Sequence, residues 1–334
     1  MTNRYIIILI LVVSIIIVNS NNSLAQDPQF TQFYANPLYL NPAFAGTGRC
    51  PRVSLNYRNQ WPGIPKTDGG TYNTSSASYD QHIDAISGGI GLLIVNDKAG
   101  QGTLTSTNVS GIYSYQLPVT RNFSLKAGVQ ATYMQKKLDW TNITFGDMID
   151  ARRGFIYNTQ EAVPSNNLSN VNNMDFSAGI LGYSKHFFFG IAANHLTEPN
   201  ESLLGGGNKS PLPRKITGHA GAVLDIGGDH SQTSISPNIL YQKQGDFEQI
   251  NLGLYLNKGP VIAGLWYRLK DSFILLLGLQ NEVFKIGYSY DITSSKLPNF
   301  GTYNTHGSHE LSLGIQFYCK PKKRKFRTVA CPSF

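Results

Sequence analysis

Four stretches of this chain alternate apolar and polar residues for about ten positions each, and that period of two dictates what the chain can fold into. In VFKIGYSYD (283–291), Phe284, Ile286, Tyr288 and Tyr290 share one face, and Lys285, Gly287, Ser289 and Asp291 share the other. HELSLGIQFY (309–318), DFEQINLGLYLNK (246–258) and NFSLKAGVQATY (122–133) repeat the pattern. A strand turns successive side chains to opposite faces, so these runs read as strands of a sheet whose two faces meet different surroundings.

Composition says which surroundings. Charged residues make up 14% of the 334 residues, against roughly 25% in an ordinary soluble domain. Arg4, an apolar run from Tyr5 to Val18, and Ser23-Leu24-Ala25 have the layout of a secretory signal peptide cleaved after Ala25. The run is shorter than the roughly 20 residues a membrane-spanning helix needs. No Cys follows it directly, so a lipoprotein anchor is not expected. An exported, charge-poor chain with alternating strands and no second helix-length apolar run fits an all-β, transmembrane antiparallel β-barrel in the outer membrane. A secreted β-sandwich would explain the alternation, but not the low charge or the leucine-rich outer faces at 247–288.

The pattern predicts about fourteen strands, near 52–60, 71–80, 88–96, 104–115, 122–136, 173–183, 186–195, 216–226, 232–242, 247–257, 260–269, 272–280, 282–290 and 308–318. The expected organisation is a signal peptide (1–25), a plug-like Asn-Pro segment (26–50), the barrel (51–318) and a basic periplasmic tail (319–334). With the first strand running outward, the long connections 61–70, 137–172, 196–215 and 291–307 fall on the outside. Trp140 and Phe155, in the longest of them, are candidate surface contacts.

The formal charge of +8 is concentrated in the tail, where KPKKRKFR (320–327) holds six positive residues. It marks an end rather than a nucleic-acid face. Lys322, Lys323, Arg324, Lys325, Phe326 and Phe334 are candidate partner-docking residues, pairing charge with apolar handles. Ser308-His309-Glu310 is no triad, because on a strand His309 points away from its two neighbours. The other histidines show no metal spacing, and no cofactor is expected. Cys50, Cys319 and Cys331 should meet an oxidising periplasm. In a closed barrel the first and last strands are neighbours, so Cys50 can pair with Cys319. Pairing with Cys331, or three unpaired thiols, are the alternatives. Lys126, Lys285, Arg268, Glu310 and Asp291 fall on inner faces, where a charge needs a partner.

QFYANPLYLNPAFAG (32–46) is too apolar for a loose leader and too broken by proline for a strand. Asn36-Pro37 and Asn41-Pro42 should make two rigid bends, with the Asn side chains satisfying local backbone groups. Phe30, Phe33, Tyr34, Tyr39 and Phe44 call for burial, so the segment is expected as a plug or rim at the periplasmic mouth.

QDPQFTQFYANPLYLNPAFAG and LNYRNQWPGIPKT (55–67) resemble the start of the PorP/SprF family, and GYSYDITSSKL (287–297) with GSHELSLGIQFY (307–318) resembles its end. The resemblance implies an outer-membrane β-barrel of the Bacteroidota, tied to type IX secretion and gliding motility. It further implies a non-enzymatic protein that binds the periplasmic machinery, or holds an exported adhesin with a type B C-terminal domain at the surface. A diffusion channel or transporter is the alternative.

Overall fold

The structure, a computed structural model, describes residues 26–48, 50–64, 70–100, 103–143, 145–150, 152–155, 157–158, 160, 168–203, 209–226, 233–294 and 306–319. The leader, Cys331 and the tail residues Lys322, Lys323, Arg324, Lys325, Phe326 and Phe334 lie outside them.

Fourteen strands form a closed antiparallel barrel. They are β1 (Arg52–Gln60), β2 (Tyr72–Ile83), β3 (Gly88–Ala99), β4 (Leu104–Pro118), β5 (Ser124–Asp139), β6 (Leu168–Tyr183) and β7 (Phe187–Asn194). Then come β8 (Lys215–Ala222), β9 (Thr233–Gln244), β10 (Phe247–Lys258), β11 (Val261–Arg268), β12 (Ser272–Gln280), β13 (Phe284–Thr293) and β14 (Ser308–Gln316). Each strand pairs with the next, and β14 returns to β1 in a register from Arg52↔Gln316 to Gln60↔Ser308. Closure leaves no sheet edge with backbone groups bare to lipid. Leu224–Asp225 extends the β8 side of the β9 ladder by two residues.

The outer wall is apolar in the manner of a lipid-facing surface. Leu252, Leu254 and Leu256 of β10 and Phe273, Leu275, Leu277 and Leu279 of β12 all face outward, with Leu277 65% exposed. Their neighbours Asn251, Tyr255, Ile274 and Leu276 are buried inside. Among the described residues no helix is long and apolar enough to cross a membrane. Strands make the crossing.

Both ends of the barrel chain, Arg52 and Gln316, sit at the end that carries the turns 84–87, 119–123, 184–186, 259–260 and 281–283. The described parts of the long connections 61–71, 140–167, 195–214 and 294–307 sit at the other. Outer-membrane barrels keep short turns in the periplasm and long loops outside. These ends are called inner and outer below.

The expected loop 137–172 is shorter than its sequence suggested. β5 and β6 continue to pair up to Asp139↔Leu168. Their outermost residues, such as Lys136, Lys137, Asn170 and Asn172, are polar on both faces. Strand that rises above the bilayer has no apolar face to show, so its period of two vanishes. β13 likewise runs on to Thr293.

Candidate functional site

The chain's own beginning lies inside the barrel. Residues 30–47 are almost all buried, and their apolar members join Tyr183, Phe188, Leu240, Tyr255 and Trp266 of the wall in one core. Phe33 meets Trp266 edge-on at 5.3 Å, and Phe44 stacks on His219 at 5.3 Å.

Proline sets the local shape. Pro37 opens a helical turn, Pro37–Leu40, and Pro42 opens a 3-10 turn, Pro42–Phe44. At a first helical position the missing N–H of proline would have had no partner anyway. Asn41 caps the second turn, its Oδ1 accepting from the Ala43 N–H at 2.9 Å. Its Nδ2 donates to the Ile180 and Ile191 carbonyls at 3.1 and 3.3 Å. Asn36 departs from the expected local role. Its backbone (φ −120°, ψ 65°) lacks capping geometry, and its Nδ2 donates instead to Ser76 Oγ on β2 at 2.8 Å.

The segment is not confined to the periplasmic mouth. It runs the height of the lumen, starting at the outer end. There the Asp27 N–H donates to Gln244 Oε1 at 3.0 Å, and its carboxylate meets His195 Nε2 at 2.9 Å and Lys215 Nζ at 3.4 Å. His195 Nδ1 lies 2.9 Å from Asp175. Burial alone would push the His195 pKa down, but Asp27 and Asp175 on either side outweigh it and raise it to about 10. Burial would raise the Asp27 carboxyl, but His195 and Lys215 hold it below the usual carboxylate range.

Lower down, the Thr31 and Gln32 N–H groups donate to the Glu310 carboxylate at 2.5 and 3.2 Å. Arg58 pairs with Asp291 at 3.0 Å and with Glu310 at 3.6 Å, and also donates to Thr31 Oγ1. Arg268 reaches Asp291 at 3.6 Å and Asp271 at 3.2 Å. The layer sets two buried arginines against two buried carboxylates, with backbone N–H groups of the segment completing it. At the inner end the Ala45 carbonyl accepts from Ser114 Oγ at 2.7 Å and Lys126 Nζ at 2.5 Å. The Gly46 N–H donates to Asp80 at 2.7 Å, and Asp80 pairs with Arg52 at 2.8 Å. Just below, Cys50 is bonded to Cys319 with Cα atoms 5.5 Å apart, an ordinary disulfide span.

Glycines on the wall mark the path. A Cβ on Gly128 would lie 2.4 Å from Ala43 N, and one on Gly89 would lie 2.2 Å from the Ala45 carbonyl oxygen. The sequence pattern gave these two glycines no role of their own. Arg58 was not among the inner-face charges read from the sequence; its burial and its pairing with Asp291 and Glu310 appear only in the fold. Asp27, Asp175, His195 and Lys215 carried no local signal, because their partnership is made by folding.

Other expected residues stand apart from this site. Ser308 and Glu310 point inward while His309 points outward, its Nδ1 2.7 Å from Tyr288 Oη. Lys285 faces the lumen near the inner mouth. Trp140 is half-buried, donating to Ser169 Oγ at 2.8 Å and stacking on Phe145. Phe155 belongs to a two-residue ladder with Ile149 in the same connection. Among the described residues no group of three or more His, Cys, Asp or Glu side chains is arranged to hold a metal ion.

Solved barrels are similar to this chain, one of them at a level that shows a shared fold. The toluene transporter TbuX of Ralstonia pickettii is similar at a TM-score of 0.51 and 11% identity, over 84% of this chain and 93% of that one. A Pseudomonas aeruginosa FadL homologue is 14% identical, over 83% and 93%, at a TM-score of 0.44. The P. putida toluene transporter TodX is 12% identical, over 84% and 93%, at 0.46. At 11% identity the likeness to TbuX is one of fold alone. No curated protein matches the sequence. The family model for the type IX secretion system membrane protein PorP/SprF matches residues 22–315. A closed barrel with a lipid-facing wall, matched almost end to end by that model, belongs to the PorP/SprF family of type IX secretion and resides in the outer membrane.

Proposed function

We propose that this barrel is a non-enzymatic anchor of type IX secretion. It binds either the periplasmic machinery or an exported adhesin with a type B C-terminal domain, and so supports secretion and gliding. The signal peptide, removed after Ala25, delivers it to the periplasm. The observation that carries the reading is the N-terminal segment inside the lumen. Residues 30–47 lie buried inside the barrel, where they would obstruct a solute, and the connections beginning at Trp140 and His195 leave the outer end, where a partner would meet them. The tail from Lys322 to Phe334 supplies a basic, apolar-tipped arm for a partner at the inner end.

Gentle solubilisation of the outer membrane, followed by capture on a C-terminal tag, tests this. A large exported protein or the periplasmic ring components should co-purify in stoichiometric amount, and which of them appears decides the subgroup. A partnerless barrel would overturn anchoring in favour of a diffusion channel or transporter.

A further inference from the structure

On the outward face of β2–β6 the strand register stacks three kinds of residue in successive rows. Alternation decides the face. Leu93, Ser110, Thr132 and Asp175 are buried inside, so Ile94, Val109, Tyr133 and Met174 beside them face outward, and all four are exposed. They share the cross-strand row Ala77↔Ile94↔Val109↔Tyr133↔Met174. The next row toward the outer end, Ser75↔Asn96↔Thr107↔Gln135↔Asn172, is made of hydroxyls and carboxamides. The row beyond it is Asn73↔Lys98↔Thr105↔Lys137↔Asn170, and both lysines are exposed.

The apolar row belongs to the acyl chains, so lipid headgroups begin where it ends. Lys98 is four residues beyond Ile94, about 10 Å along the membrane normal for a strand tilted by about 40°. A lysine stem can lean back along the wall and keep its ammonium among the headgroups. Lys98 and Lys137 stand two strands apart, about 10 Å, and the register sets no acid opposite either of them. Asp139, two residues beyond Lys137 on the same face, accepts from the Thr141 N–H at 3.0 Å and from its hydroxyl at 2.6 Å. Lys243, an exposed base at the outer end of β9, differs in having Glu248 directly opposite. Two lysines with no acid across from them leave positive charge at headgroup level for an anion to answer. In the middle row Asn96 donates to Thr107 Oγ1 at 2.8 Å and Gln135 to Asn172 Oδ1 at 3.1 Å. Each of these carboxamides keeps further donor or acceptor capacity for the hydroxyls of a sugar.

We propose that this part of the wall binds a phosphorylated glycolipid of the outer leaflet, with phosphate at Lys98 and Lys137, sugar hydroxyls on the Asn96–Gln135 row, and acyl chains over Ile94, Val109 and Tyr133. The site depends on the long connections facing outward and is independent of the anchoring role.

The full-length protein in a neutral detergent is titrated with diphosphoryl lipid A, with dephosphorylated lipid A and with phosphatidylglycerol, and bound lipid is counted by native mass spectrometry. Diphosphoryl lipid A should form a one-to-one complex and bind roughly tenfold or more tightly than the other two. Lys98→Gln combined with Lys137→Gln should remove that advantage, whereas Lys243→Gln should leave it intact. Circular dichroism reports folding, and the two single variants replace the double one if it does not fold. Equal binding of the dephosphorylated lipid would show that phosphate is not recognised, and equal binding of phosphatidylglycerol that the sugar is not. An advantage that survives the double substitution would place the lipid elsewhere. One lost as fully in Lys243→Gln would mean diffuse attraction to surface bases. Each of these results would overturn the proposal.

Discussion

Asn41 does the work of three residues. One side chain caps a turn, bridges to β6 through the Ile180 carbonyl and to β7 through the Ile191 carbonyl, and lies 3.3 Å from His219 Nε2. Asn41→Ala loses the cap and the bridging bonds from a dry site, and should destabilise the barrel by about 2 kcal/mol. Urea unfolding followed by tryptophan fluorescence measures it. Asp27 makes a different prediction. The raised His195 pKa stabilises the fold fully below the ordinary value of 6.5 and ceases to do so as pH climbs through about 10. The lowered Asp27 pKa stabilises above the ordinary 3.8 and ceases to do so as pH falls further. The margin by which the native protein outlasts Asp27→Asn should therefore be widest from about pH 4 to 6.5 and shrink on either side. Unfolding midpoints across pH would show it, and a flat margin would rule the cluster out as a stabilising contact.

Among elements, the lumen segment and the wall are complementary at the level of single atoms. Gly128→Val puts methyl groups where Ala43 N now lies. It should dislodge the segment locally while leaving the β4–β5–β6 ladders paired. Hydrogen exchange should then rise at 41–46 and stay low in the strands. The disulfide joins positions 269 residues apart in sequence. By the chain-entropy argument, Cys50→Ser should cost up to about 5 kcal/mol, seen as a lower unfolding midpoint that reductant imposes equally on the native protein. Strands were the most legible elements. Wherever one face met lipid and the other the lumen, as in β10, β13 and β14, alternation located them to within a few residues. It failed where β5 and β6 rise beyond the bilayer, since both faces there are polar. The two Asn-Pro pairs showed that the segment from Phe30 to Phe44 would bend and bury itself. They could not show how far it climbs, because that depends on Asp27 meeting His195 and Lys215 from distant strands.

At the scale of the whole molecule, the barrel is a wall built around its own N-terminal segment, and the two form one core. Conductance tests whether that core is sealed. The native protein in a planar bilayer should pass almost no ions, whereas deletion of 27–45 should open large, steady channels if the barrel still folds. A conducting native protein would make the segment an ornament of an open pore. An even-stranded barrel normally leaves both ends of its chain on the periplasmic side. Here Gln26 is exposed beside the outer loops, while Cys319 stays at the inner end. The segment in effect adds a fifteenth passage across the membrane, so one polypeptide reports on two compartments. An epitope placed just ahead of Gln26 should be stained on intact cells, and one placed after Cys319 only once the outer membrane is breached.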